Sequence, residues 1–257
     1  MRALLLSLIC LISLGLFSCD DSGSSSSPNS VGGSSDLAQN KTGASWGVYL
    51  KSSADVGNIL NSVVDSVSVS AFDGNNVSVR ALFIVDTVFT KKLDTLLGSY
   101  IVNSSVKNEY IKYYADIYNV KIDTSDKRQI RILSEYKYKN TSEGVQDFIF
   151  SKGDTKQPFT IVKYSSSIGD KYTFTTASGV KVERTVVSKA TKEDYALGQI
   201  NIKTIRIDEV KEDPLIQKIT YIANHKFGLV GAIIYFKNGK TITVSCLPWQ
   251  AISASGF

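Results

Sequence analysis

The chain reads as a mainly β protein with minor helix, built on antiparallel sheet, and three observations predict this. First, three pairs of alternating apolar runs are joined by turn chemistry: Val67–Phe72 to Val77–Val85 through Asp73-Gly74-Asn75-Asn76, Lys171–Thr176 to Val180–Val187 through Ala177-Ser178-Gly179, and Leu229–Phe236 to Thr241–Leu247 through Lys237-Asn238-Gly239-Lys240. Second, these runs follow one another too closely for crossover helices, so they describe hairpins and not βαβ units. Third, the 257 residues are 43% apolar, enough for one sizeable core or two small ones.

In chain order, Met1-Arg2 gives a short positive start, and Ala3 to Phe17 is an apolar run broken only by Ser7, Ser13 and Gly15. A bilayer-spanning helix takes about 20 residues, so this run is too short to span and has the pattern of an export signal over residues 1–18. Residues 19–45 are Ser- and Gly-rich and read as a flexible linker, because so polar a segment buries too little to offset its ordering entropy. Residues 46–257 have globular composition, with a sub-division near residue 165 left open. Within them, 55–64 and 87–100 carry helical spacing. The stretch Val106–Val120 fits both periods; Tyr110, Tyr113, Tyr114 and Ile117 suit a helix face, but its aromatics and Ile tip the expectation to strand from Tyr113 onward. Strands are further expected at Asn119–Ile122, before a Thr124-Ser125-Asp126 turn, and at Gln129–Tyr138, Asp147–Phe150, Phe159–Tyr164, Ile200–Ile207 and Gln217–Ala223. Asn-Gly at 238–239 is the strongest hairpin signal, since both residues accept positive φ.

Two resemblances add to this reading. Leu16-Phe17-Ser18-Cys19, at the end of the apolar run, resembles the lipobox of bacterial lipoproteins. The resemblance implies cleavage between Ser18 and Cys19, alkylation of the Cys19 thiol by a diacylglyceryl group, and acylation of the new amine, palmitate being a typical chain. Each buried methylene contributes about 0.8 kcal/mol, so two or three chains hold a protein firmly to a membrane. Ile168-Gly169-Asp170-Lys171-Tyr172-Thr173-Phe174, with Val182–Val187 and the segment Tyr221 to Val230, is similar to a pattern of envelope lipoproteins whose antiparallel sheet curls into a half-barrel, although Tyr172 stands where a Trp is usual. That similarity implies a curved sheet and no catalytic residue.

Several classes of chemistry have candidate residues and the wrong context. Gly43-Ala44-Ser45-Trp46-Gly47 matches the nucleophile-elbow pattern, with Asp208, Asp213 and His225 downstream, but a linker precedes it where a buried strand is required. His225, the single histidine, lies in a turn-like Asn224-His225-Lys226 with no cluster of metal-ligating residues around it. Gly239-Lys240-Thr241 resembles the end of a phosphate-binding loop, but Ile234 replaces its first glycine. Of three cysteines, Cys10 leaves with the signal and Cys19 carries lipid, so Cys246 stands alone in an apolar run and reads as a buried small hydrophobe. Tyrosines 110, 113, 114, 118, 136 and 138 are an unusual enrichment, read first as core and second as a stacking platform for a flat ligand or glycan. The sequons at Asn40, Asn76, Asn103 and Asn140 carry little weight in a bacterial protein.

Formal net charge is +5, and losing Arg2 with the signal leaves about +4, with charges interspersed, which gives no nucleic-acid footprint. The expectation is therefore a lipid-anchored envelope protein, facing periplasm or cell exterior, with no cofactor or metal. Its role is a non-enzymatic binding or assembly module for an apolar ligand or an envelope protein. The alternative is a structural or surface interaction lipoprotein, and a hydrolase is third.

Overall fold

The computed structural model describes residues 29–52, 63–86, 96, 98, 104–123, 125–126 and 129–248. Ser18 and Cys19 lie outside them, as does most of the helical spacing at 55–64 and 87–100; Val63 and Val64 open a strand instead. The described residues are 56% strand and 8% helix, as the hairpin patterning predicts.

One antiparallel sheet of thirteen strands dominates. Its strands are β1 (Ser45–Ser52), β2 (Val63–Phe72), β3 (Val77–Asp86), β4 (Val120–Asp123), β5 (Gln129–Thr141), β6 (Gly144–Asp147), β7 (Phe159–Lys163), β8 (Lys171–Thr175), β9 (Lys181–Lys189), β12 (Ile205–Lys211), β13 (Ile216–Asn224), β14 (Gly228–Phe236) and β15 (Thr241–Pro248). They follow the order β7-β6-β5-β3-β2-β1-β15-β14-β13-β12-β9-β8, with β4 paired to β5 beside this path. The sheet curls until it nearly closes. A separate hairpin, β10 (Tyr195–Leu197) and β11 (Ile200–Ile202), packs over β14 and β15. Helix α1 (Ser104–Tyr118) lies against the core.

The alternation of side chains sets the curl's dry face. Val48 and Leu50 of β1 stand opposite Cys246 and Val244 of β15, and Val244 and Ile242 stand opposite Ala232 and Ile234 of β14. All of these are at least 96% buried. Cys246 is a fully buried thiol within this wall and forms no disulfide. On the outer face, Gly231 leaves room for Tyr195: a Cβ there would lie 2.8 Å from the Tyr195 hydroxyl oxygen and 2.6 Å from the Val244 carbonyl oxygen.

Four expectations require correction. Residues 113–118 are helix, not strand, because Tyr110, Tyr113, Tyr114, Ile117 and Tyr118 fall on one helical face that packs into the core. Asp147–Phe150 is not a strand; β6 ends at Asp147, whose carboxylate accepts the Ile149 N–H at 3.0 Å and turns the chain. Ile200–Ile207 is not one strand. The apolar residues are at 200, 202, 205 and 207, so the alternation slips at Lys203-Thr204. There Asp194 accepts both the Thr204 N–H and its hydroxyl, and the chain passes from the small hairpin to β12. At the β14–β15 turn only Gly239 has positive φ (80°), and Phe236 pairs with Lys240 across a three-residue loop.

Of the stretch read as linker, residues 29–44 lie against the sheet, with a short 3₁₀ turn at Ala38–Asn40. Val31, Ser35, Gln39 and Asn40 are buried, and Val31 N–H donates to Gln146 Oε1 at 2.8 Å, covering the outer face of β6.

Candidate functional site

Where β7 and β8 meet, strand pairing stops and side chains take over. Arg184 on β9, fully buried, donates through Nε to Glu209 Oε2 on β12 at 2.8 Å and through Nη2 to Asp147 Oδ2 on β6 at 2.6 Å. Its Nη1 donates to the carbonyl oxygens of Phe159 and Thr160 on β7, at 3.2 and 3.3 Å. Nη2 also lies 2.7 Å from Glu209, so every face of the guanidinium fork meets an acceptor. The Phe159 ring sits under it, 3.9 Å from Cζ, and Tyr221 OH donates to Glu209 at 3.1 Å. Burial opposes the charge on Arg184, but Asp147 and Glu209 outweigh it and raise its pKa. Burial raises the Asp147 pKa; Arg184 opposes that shift and the Glu209 charge adds to it.

A second polar group anchors α1. Tyr114 OH donates to Asp213, which also pairs with Lys211 and accepts the N–H groups of Leu215 and Ile216. Tyr114 and Tyr118, one helical turn apart, stack in parallel with ring centres 6.1 Å apart. Burial, then the charge of Asp213, raises the Tyr114 pKa; burial, then Glu209, raises that of Tyr118. Both hydroxyls therefore stay protonated, and that of Tyr114 donates to Asp213.

A concavity opens in the β5 edge. β5 is thirteen residues long, and β3 pairs one side of it from Gln129 to Tyr138. On the other side β4 reaches only to Ser134 and β6 begins at Tyr138, leaving Glu135, Tyr136 and Lys137 in a gap between them. Asn119, in left-handed conformation (φ 48°) where α1 turns into β4, donates from Nδ2 to the Glu135 carbonyl at 3.3 Å. A cleft of about 460 Å³ draws its lining from this gap, the end of α1 and the turn after β6. This volume is in the range that takes small ligands. Tyr136 is half-buried and packs on the core, while Lys137, Lys152 and Asn119 are exposed at the cleft. The cleft therefore offers an aromatic surface edged with hydrogen-bonding groups of both signs. A shallower apolar groove of about 320 Å³ lies across the molecule, between Tyr49, Leu197 and Leu247.

Most residues singled out from sequence do not converge. Ser45 opens β1, so no helix follows it as a nucleophile elbow demands. Asp208 is engaged by Lys218 and Thr220, Asp213 by α1, and His225 is exposed in the β13–β14 turn. Gly239-Lys240-Thr241 forms a hairpin end. Of the six tyrosines, Tyr114, Tyr118 and Tyr138 are buried core residues, and Tyr118 and Tyr136 reach the cleft. Sequence reading missed Arg184, Glu209 and Asp147. A signal was present, because Arg184 shares parity with Val182 and Val186, and Glu209 with Ile205 and Ile207. Opposite charges on the dry side of two strands mark a buried pair. Among the described residues no cluster of three or more His, Cys, Asp or Glu is placed to hold a metal, and no helix is long and apolar enough to cross a membrane. No protein-family model matches the chain, and no curated protein matches it.

Proposed function

We propose that this chain is a membrane-anchored bacterial envelope lipoprotein whose β domain acts as a binding module, with the cleft in the β5 edge as its ligand site. The anchor rests on the apolar run 3–17 and on Leu16-Phe17-Ser18-Cys19. The binding role rests on one observation, the cleft of about 460 Å³ at the gap between β4 and β6, where a half-buried ring lies beside exposed amide and ammonium groups. Native mass spectrometry of protein made without residues 1–19 tests the binding role. A ligand adduct that co-purifies with the native domain and is lost in Tyr136→Ala supports it. A bare domain, or an adduct unchanged by that substitution, contradicts it.

A second reading, a surface lipoprotein that docks another envelope protein, is favoured by the groove beside Tyr49, which is 48% exposed. A protein partner captured by the native domain and released by Tyr49→Lys would favour that reading over a small ligand.

A further inference from the structure

The described chain begins on the seam. Asn29 accepts a hydrogen bond from Thr160 Oγ1 of β7 on its carbonyl oxygen, at 2.9 Å, and donates from Nδ2 to the Thr173 carbonyl of β8, at 3.0 Å. It thus bridges the two ends of the sheet that strand pairing leaves apart. From there the chain is sewn down, through Val31 to Gln146, Ser34 to Ser142 and Ser35 to Gly74. The chain is thus held to the sheet from Asn29 to Ser35.

Cys19 precedes Asn29 by ten residues. Ten residues reach at most about 35 Å at full extension. A tether this short, fixed at one edge, restricts which side of the domain reaches a bilayer. The same edge carries exposed apolar side chains: Ile168 in the β7–β8 turn is 63% exposed, and Val187 on the outer face of β9 is 41% exposed. Beside them the Lys189 ammonium is tied to the Tyr164 and Ser166 carbonyl oxygens at the head of that turn. On the opposite side of the curl, β1 and β15 sit midway along the strand order, and Tyr49 points outward there.

We infer that the β7–β8 edge is the membrane-facing side of the domain, with Ile168 and Val187 against the lipid surface and Tyr49 turned away from it. This rests on the Cys19 anchor proposed above, and adds an orientation to it. An exposed apolar side chain gains free energy on meeting the interface, and the tether makes that meeting intramolecular.

The full lipidated chain in phosphatidylcholine vesicles tests this. Single cysteines at Ile168→Cys and Tyr49→Cys carry a fluorophore, and lipids with brominated or spin-labelled chains quench it. Cys246 is fully buried and native tryptophan fluorescence reports that the fold persists. The expected result is several-fold stronger quenching at position 168 than at 49, lost when about thirty Gly-Ser residues are inserted between 20 and 28. Equal quenching of a chain shown by intact mass to carry lipid on Cys19 overturns the orientation and leaves the anchor standing. A chain with Cys19 bare, or one whose Cys19→Ala variant floats with vesicles as well as the parent, overturns the anchor and the orientation with it.

Discussion

The sheet has two kinds of wall. Across β1, β15, β14 and β13 it is an antiparallel ladder, bulged twice between β13 and β14, whose inward side chains are mostly Val, Leu, Ile and Ala, with Cys246, Trp46, Tyr221 and Phe236 among them. At β7 and β8 it is a seam without a ladder, joined by the Arg184 guanidinium, by Asn29, by Lys163 N–H to Tyr172 OH at 3.4 Å and by the Phe159 and Phe174 rings, 5.4 Å apart. The ladder spreads its stability over many small, interchangeable contacts. The seam concentrates it in a few polar groups that stay buried only while all partners are present. The seam is thus the more fragile wall, and its fragility depends on pH.

Arg184→Met should cause the largest loss, about 3–5 kcal/mol near neutrality, because it leaves Asp147 and Glu209 buried without their cation. Urea unfolding measures it, and acidification that protonates the carboxyls should recover part of the loss. Retention of wild-type stability at neutral pH would show that Arg184 does not join the seam. A core contact in the ladder should matter less: Ile234→Val removes one methylene from a fully buried site and should cost about 0.5–1.5 kcal/mol, with no pH dependence. Most diagnostic, through its pH dependence and not its size, is Asp147→Asn. The folded-state pKa of Asp147 is raised above 3.8, so its titration contributes stability that is complete below that value. The contribution is lost as pH rises through the folded value. The stability difference between parent and Asp147→Asn should therefore be most favourable to the parent in acid and shrink toward neutrality; a difference that grows with pH would reverse the assignment.

The ladder was legible in sequence and the seam was not, for a physical reason. The hairpins at 67–85, 171–187 and 229–247 are local: turn residues and alternation sit within about twenty residues and say which strands pair. Arg184 and Glu209 face each other on the neighbouring strands β9 and β12, but Asp147 and Asn29 join the seam only through closure of the whole sheet. The parity of Arg184 among valines and of Glu209 among isoleucines marked each as buried, but not their pairing. The cleft was illegible for a related reason: the gap at Glu135–Lys137 exists because β4 stops and β6 starts at particular registers on one long strand. Helix α1 escaped because Tyr and Ile favour strand intrinsically, and tertiary packing of one helical face overrode that preference. The lipobox reading concerns residues before 29 and stands on the sequence alone.

Native-state hydrogen exchange tests the two-wall comparison most directly. Amides of β7 and β8 should exchange through an opening of lower free energy than those of β13 and β14, and Arg184→Met should accelerate the first pair while the second still exchanges only on global unfolding. Equal opening free energies for both walls in the parent, or parallel acceleration of both in the variant, would contradict it.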